Sequence, residues 1–202
     1  AGINDCDRGW GLADETWQFM DALKRLGGET WFNLGDKDLA THIERTRHLT
    51  SGKTLSETTT ALCDVLGIAH TIVPMSDKPV RTIVNTKNRS MPFQEYFVRH
   101  KCKPQVTSFT FDGSSQAVPS PGLVRALAAP DLNAIIICPS NPYVSIDPIL
   151  SLKEVSRAID TRTAPVVVVS PIIGGKTIKG PAAKMMKELG TAPSAVAVAA
   201  HY

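Results

Sequence analysis

Two apolar, β-branched runs constrain this chain most: Ile135-Ile136-Ile137 and Val166-Val167-Val168-Val169. Each gives way to a polar loop and then to a helix-patterned segment, PILSLKEVSRAI after the first and GPAAKMMKELG after the second. Runs without polar alternation suit strands covered on both faces, and their alternation with helices predicts βα units of a parallel sheet. The expected class is therefore α/β.

Upstream the texture differs. Residues 14–26 carry Trp17, Met20, Leu23 and Leu26 at helical spacing before Gly27-Gly28, which predicts a helix with a glycine stop. Leu39, Ile43 and Leu49 predict a second helix over residues 38–49 ending near Gly52. Thr54-x-x-Glu57 has the form of a capping box opening a third, which Gly67 would close. From Ile68 onward, IAHTIVP, VRTIVNT, MPFQEYFVRH and QVTSFTF read as short strands of an antiparallel patch, with KNRS as a hairpin turn. The expected organisation is one truncated domain, with a helical block over 1–67, the antiparallel patch over 68–118 and βα units over 119–202.

Composition removes several function classes. A net charge of +3 with no long block of like charge gives no nucleic-acid surface, while anionic small molecules remain compatible partners. The four cysteines include no CxxC pair, so neither a zinc site nor a disulfide framework is suggested and a reducing cytoplasm fits best. No apolar run approaches the ~20 residues of a membrane span. The chain opens without Met and stops inside an apolar run, as a piece cut at both ends would.

In an open parallel sheet, ligands sit beyond the carboxyl ends of the strands. The first such loop, Pro139-Ser140-Asn141-Pro142-Tyr143-Val144-Ser145, joins a rigid backbone to short hydrogen-bonding side chains. The second, running from Ser170-Pro171-Ile172 through Gly174, Gly175, Lys176 and Lys179 to Pro181, combines glycines, cations and a helix start that favour an anion. Each also fits an ordinary turn. Neither is a Walker A or GxGxxG sequence, and no nucleophile triad stands out. A third cluster runs from Asn33-Leu34-Gly35-Asp36 through Asp38 and Thr41 to His42, with Arg45 and Arg47 one turn on. Asp36 or Asp38 reads most simply as an N-cap there.

These segments, with RGWGLADETW, WFNLGDKDLATHIERTRHL, PMSDKPVRT and FQEYFVRH, resemble in order the signatures of the 2-phospho-L-lactate transferases of coenzyme F-420 biosynthesis. The resemblance covers residues 8–202 and implies a Rossmann-like, mostly parallel sheet with helices on both faces. It implies transfer of a phospholactyl-type group from a guanylylated three-carbon acid to the ribityl hydroxyl of a deazaflavin, with release of GMP. Magnesium is the implied cofactor, its ligands expected before Ala1, and a homodimer the implied assembly. Under the resemblance, Ser140, Asn141, Pro142, Ser170, Pro171, Ile172, Gly174, Gly175 and Lys179 would bind the nucleotide. Asn33, Leu34, Gly35 and Asp36 would border the deazaflavin, and Asp36, Thr41, His42 and Arg45 would serve catalysis, with Arg81 as a further charge partner. Some relatives carry lysine where this chain has Asn33. The piece by itself is expected to be inactive. The competing class is a non-enzymatic, nucleotide-sugar-binding regulator of the related gluconeogenesis-factor type. The LGDKDLATH, PMSD and FQEYFVR segments resemble the transferases instead.

Overall fold

Three amphipathic helices build the first of two units, which divide between Pro74 and Met75. The computed structural model describes residues 11–202, so Cys6 and the opening of RGWGLADETW lie outside the described residues. Helix α3 (Leu55–Val65) starts as its sequence predicts: Thr54 accepts from the Glu57 N–H and the Glu57 carboxylate accepts from the Thr54 N–H. Helix α1 (Gln18–Arg25) starts later than expected and α2 (Asp36–Thr50) earlier. The N-cap of α2 is Gly35, so neither Asp36 nor Asp38 has the position that local capping requires.

The reason is a reciprocal exchange of caps. Asp36 turns its carboxylate to α1, accepting from the Thr16 hydroxyl at 2.6 Å and from the N–H groups of Gln18 and Phe19 at 3.0 Å. Glu15, just ahead of α1, accepts from Lys37 N–H at 2.9 Å and Asp38 N–H at 3.3 Å in the first turn of α2. Each helix start thus gains the anion its own N-cap lacks, satisfying orphan donors and complementing the dipole. A side chain at Gly35 would overlap the Glu15 carboxyl group, which explains why glycine stands there. The second helix keeps only part of its expected apolar face covered, since Ile43 is 60% exposed.

The second unit opens with an antiparallel sheet in the order β2-β1-β3. Strand β1 (Arg81–Thr86) pairs with β2 (Ser90–Pro92) around residues 87–89, where the sequence predicts a turn, and with β3 (Val106–Asp112). Two predicted strands do not form. IAHTIVP enters no strand. In MPFQEYFVRH only the first residues pair, and Glu95–Arg99 forms a π-helical turn. Its side chains follow that geometry: Phe93 and Phe97 stack at 5.4 Å, Tyr96 alone goes fully inside, and Glu95 reaches Arg89 at 2.8 Å and His100 at 3.3 Å. Helical spacing places these groups where strand alternation would separate them.

After α4 (Pro121–Ala128), strands β4 (Ile135–Ile137) and β5 (Val166–Val168) pair in parallel, joined through α5 (Asp147–Leu150) and α6 (Lys153–Asp160). This is the expected βα texture of an α/β chain. Coverage on both faces is not achieved among the described residues: Ile136 is 63% and Val167 48% exposed. Strands β6 (Ile172–Ile173) and β7 (Lys176–Thr177) form a hairpin, followed by α7 (Ala182–Glu188) and α8 (Ala195–His201). The main core packs Val84, Met91, Tyr96 and Val106 from the antiparallel region with Met185, Met186 and Val198 from α7 and α8.

The cross-caps give the first unit an acid sensitivity. Hydrogen bonds, the Lys37 N–H first, hold the Glu15 carboxyl below its ordinary 4.5, and the Thr16 hydroxyl foremost holds Asp36 below 3.8. The folded chain therefore binds fewer protons than the unfolded one in this range. The contribution is complete above the unfolded values and is lost as pH falls through the folded ones. Thermal unfolding followed by circular dichroism should show a midpoint that drops between about pH 5 and pH 3. The Glu15→Gln, Asp36→Asn double variant should show a flatter profile, and equal slopes would contradict the caps.

Candidate functional site

The loops after β4 and β5 meet, and a third segment that sequence reasoning placed in a strand meets them. Phe93, Gln94 and Phe97 of the π-helical region face Pro139, Ser140, Asn141, Val144 and Ser145 of the first loop, with Pro171 and Lys179 to Pro181 from the second. Together they enclose a cavity of about 390 Å³. It lies at the carboxyl ends of a parallel pair, where the switch-point rule puts ligands.

Asn141 is built into the wall. Its Oδ1 accepts from Tyr143 N–H at 3.1 Å, capping the π-helical turn Pro142–Ile146, and its Nδ2 lies 3.2 Å from Met185 Sδ on α7. The carboxamide is thus engaged with its own chain, and Pro142 and Tyr143 are buried behind it. Ser170 serves a local turn, accepting from Ile172 N–H at 3.0 Å. Gly174 and Gly175 have φ of 56° and 76° between the paired Ile173 and Lys176. Two consecutive positive φ values are the requirement of a primed hairpin turn, which is what the glycines supply. Of the nine predicted nucleotide contacts, Ser140, Asn141, Pro171 and Lys179 line the cavity. Pro142 and Ile172 are buried away from it, and Gly175 opens instead on a neighbouring cavity of about 560 Å³ with Lys176, Lys184 and Lys187.

Lys179 is exposed, and among the described residues it makes no ion pair, so its charge is available to an anion. Behind the cavity the Lys184 ammonium donates to Tyr96 Oη at 3.2 Å, Pro104 O at 3.0 Å and Glu188 Oε2 at 2.7 Å. Burial by itself would lower the Lys184 pKa, but its bonds to Glu188 and Tyr96 outweigh that and leave it above the ordinary lysine value. Burial raises the Tyr96 phenol, with Lys184 opposing. These groups stay in their structural protonation states at neutral pH.

The other predicted residues lie in the first unit. Asn33, His42 and Arg45 are exposed, Leu34 is half-buried, Gly35 is buried, and the Thr41 hydroxyl donates to Lys37 O at 3.3 Å. Asp36 is committed to three donors of α1 and its preceding turn. Arg81 sits exposed at the start of β1. Phe93, Gln94 and Phe97, which the sequence presents as polar groups beside apolar anchors equally at home in a turn or an edge strand, line the cavity, and their signal was an i, i+4 aromatic pair flanking a polar group.

A parallel βα pair with a polar and aromatic cavity at its strand ends defines a mixed α/β protein whose cavity lies where the switch-point rule looks for ligands. The chain belongs to the 2-phospho-L-lactate transferase CofD family, whose model matches residues 11–201. It is 42% identical over 205 residues to a phosphoenolpyruvate transferase of Mycobacterium leprae, covering 98% of this chain and 61% of that protein. It is 41% identical over 206 residues to a phosphoenolpyruvate transferase of Kitasatospora aureofaciens, covering 100% of this chain and 63% of that one. The chain thus spans a little over three-fifths of the length of these relatives. Among solved structures it resembles the Bacillus halodurans protein BH3568, of the UPF0052 family, with TM-score 0.54 and 16% identity over 80% of this chain and 51% of that one. At that identity the likeness speaks for the fold alone.

Replacing Asn141 with Ala removes the cap on the Pro142–Ile146 turn and the contact to Met185. We expect a loss of about 0.5–2 kcal/mol in denaturant unfolding, as for other N-caps. Asn141→Asp, which keeps the accepting oxygen, should recover most of it. Unchanged midpoints in both variants would remove Asn141 from the structural frame of the cavity.

Proposed function

We propose that this chain forms part of a transferase acting in coenzyme F-420 biosynthesis, and that the cavity between the two strand-end loops holds its guanylylated donor. Support comes from the family match over residues 11–201 and from relatives named phosphoenolpyruvate transferases. The observation that carries the assignment to this cavity is Lys179, an exposed cation without an ion-pair partner among the described residues, beside the hydroxyl-bearing Ser140 and Ser145. That set suits a diphosphate ester.

In the proposed reaction the ribityl hydroxyl oxygen of the deazaflavin bonds to the phosphorus carrying the three-carbon acid. The anhydride bond to GMP breaks, and the hydroxyl proton leaves to solvent or a base. Such a step asks a protein for alignment and neutralised charge more than for a nucleophile. Lys179 would neutralise the phosphates, while Ser140 and Ser145 would orient them. Magnesium, whose ligands the resemblance puts before Ala1, would add charge neutralisation at the phosphates when bound, and among the described residues no group of three or more His, Cys, Asp or Glu side chains could hold it. The second unit would take the donor, and the acceptor reading of Asn33 to Arg45 belongs to the same proposal. Within that reading Asp36 would act as a positioning residue for α1 and α2, since its oxygens already serve three donors.

Lys179→Met should keep the thermal midpoint and weaken GDP binding about 10- to 100-fold in the full-length protein, the usual loss for a charged hydrogen bond. Calorimetry giving equal affinities would overturn the donor assignment.

A further inference from the structure

The cavity has an aromatic wall that the donor phosphates do not use. Phe97 is 41% exposed, whereas Tyr96 beside it is fully buried. Its ring lies against Phe93 with centroids 5.4 Å apart and planes 24° from parallel, which fixes its orientation, and both rings line the cavity. Tyr96, held by Lys184 at 3.2 Å and donating to Cys102 O at 3.2 Å, anchors the turn that carries it. Phe97 therefore cannot relax inward without breaking that anchor, and an apolar ring stays presented to the cavity. Next to it Gln94 lines the same space, and no hydrogen bond among the described residues occupies its carboxamide. A carboxamide offers one donor face and one acceptor face side by side. Stacking face and edge reader thus stand together on one wall, with Lys179 also lining the cavity.

We propose that Phe97, stacked on Phe93, and Gln94 form a subsite for a planar fused heterocycle that presents a carbonyl next to a ring N–H. The ring lies on Phe97, and Gln94 donates to the carbonyl and accepts from the N–H. This rests on the donor-cavity reading above. Both heterocycles of the proposed reaction, guanine and the deazaflavin, carry such an edge, whereas adenine does not.

The test uses the full-length protein and its Phe97→Leu, Phe97→Trp, Gln94→Ala and Lys179→Met variants, with GDP, ADP, inorganic pyrophosphate and the deazaflavin as probes in calorimetry. Phe97→Leu keeps the apolar contact with Phe93 and removes the aromatic face. It should weaken one heterocycle about 10-fold while leaving pyrophosphate unchanged, and Phe97→Trp should restore binding. If GDP is the weakened probe, Gln94→Ala should also erase the preference for GDP over ADP, and the occupant is the guanine. If the deazaflavin is weakened instead, with GDP unchanged, the subsite belongs to the acceptor. Should Lys179→Met weaken GDP while Phe97→Leu and Gln94→Ala leave both heterocycles at wild-type affinity, the subsite is wrong and the donor cavity stands. Wild-type affinity in all variants would remove both.

Discussion

Lys184 reaches three acceptors at once, and what it joins decides where the candidate site can form. The ammonium links α7 to the Tyr96 hydroxyl and the Pro104 carbonyl, and Glu188, one turn further along α7, accepts from Val106 N–H at 3.1 Å. The segment from the π-helical turn to β3 is therefore tied to one helix at both ends. That same helix carries Met185, on which Asn141 rests. Two walls of the cavity are thus referenced to a common element. Half-buried charge survives here because every partner is hydrogen-bonded, and removal of one member would strand the others.

The polar residues divide into two groups by what already binds them. Asn141, Ser170 and Asp36 look like chemistry in the sequence, but each spends its oxygens on backbone donors nearby. Gln94, Ser140, Ser145 and Lys179 have no such side-chain commitment among the described residues and face one space. A ligand finds its contacts in what the fold leaves over.

Much of this architecture was legible in the chain. Continuous Ile and Val runs revealed β4 and β5, KNRS the hairpin turn, and Thr54 with Glu57 the start of α3. These are local signals, set by side chains within a few residues of each other. The start of α2 was not legible, because its cap comes from Glu15, over 20 residues away. Nor was the π-helical turn, since FQEYF has strand-like composition and only the burial of Tyr96 against α7 decides between the two periods. The two loops do follow β4 and β5 and line one cavity, while the glycines of the second proved to be hairpin geometry. The aromatic wall came from a segment about 45 residues upstream of the first loop, a distance over which no pattern in one sequence operates.

The exchanged caps of α1 and α2 have a topological side. Because Glu15 and Asp36 each bind the other helix's start, the chain from Glu15 through α1 and the connection from Leu26 to Gly35 closes on itself as a ring at Asp36. Its length does not set the spacing of the two starts; the carboxylates do. Residues added among Gly28 to Phe32 would enlarge that ring, and doubling a flexible loop costs only about 0.6 kcal/mol of closure entropy. This is the stretch of the helical unit where the chain can grow, shrink or accept an inserted peptide while both helix starts keep their positions.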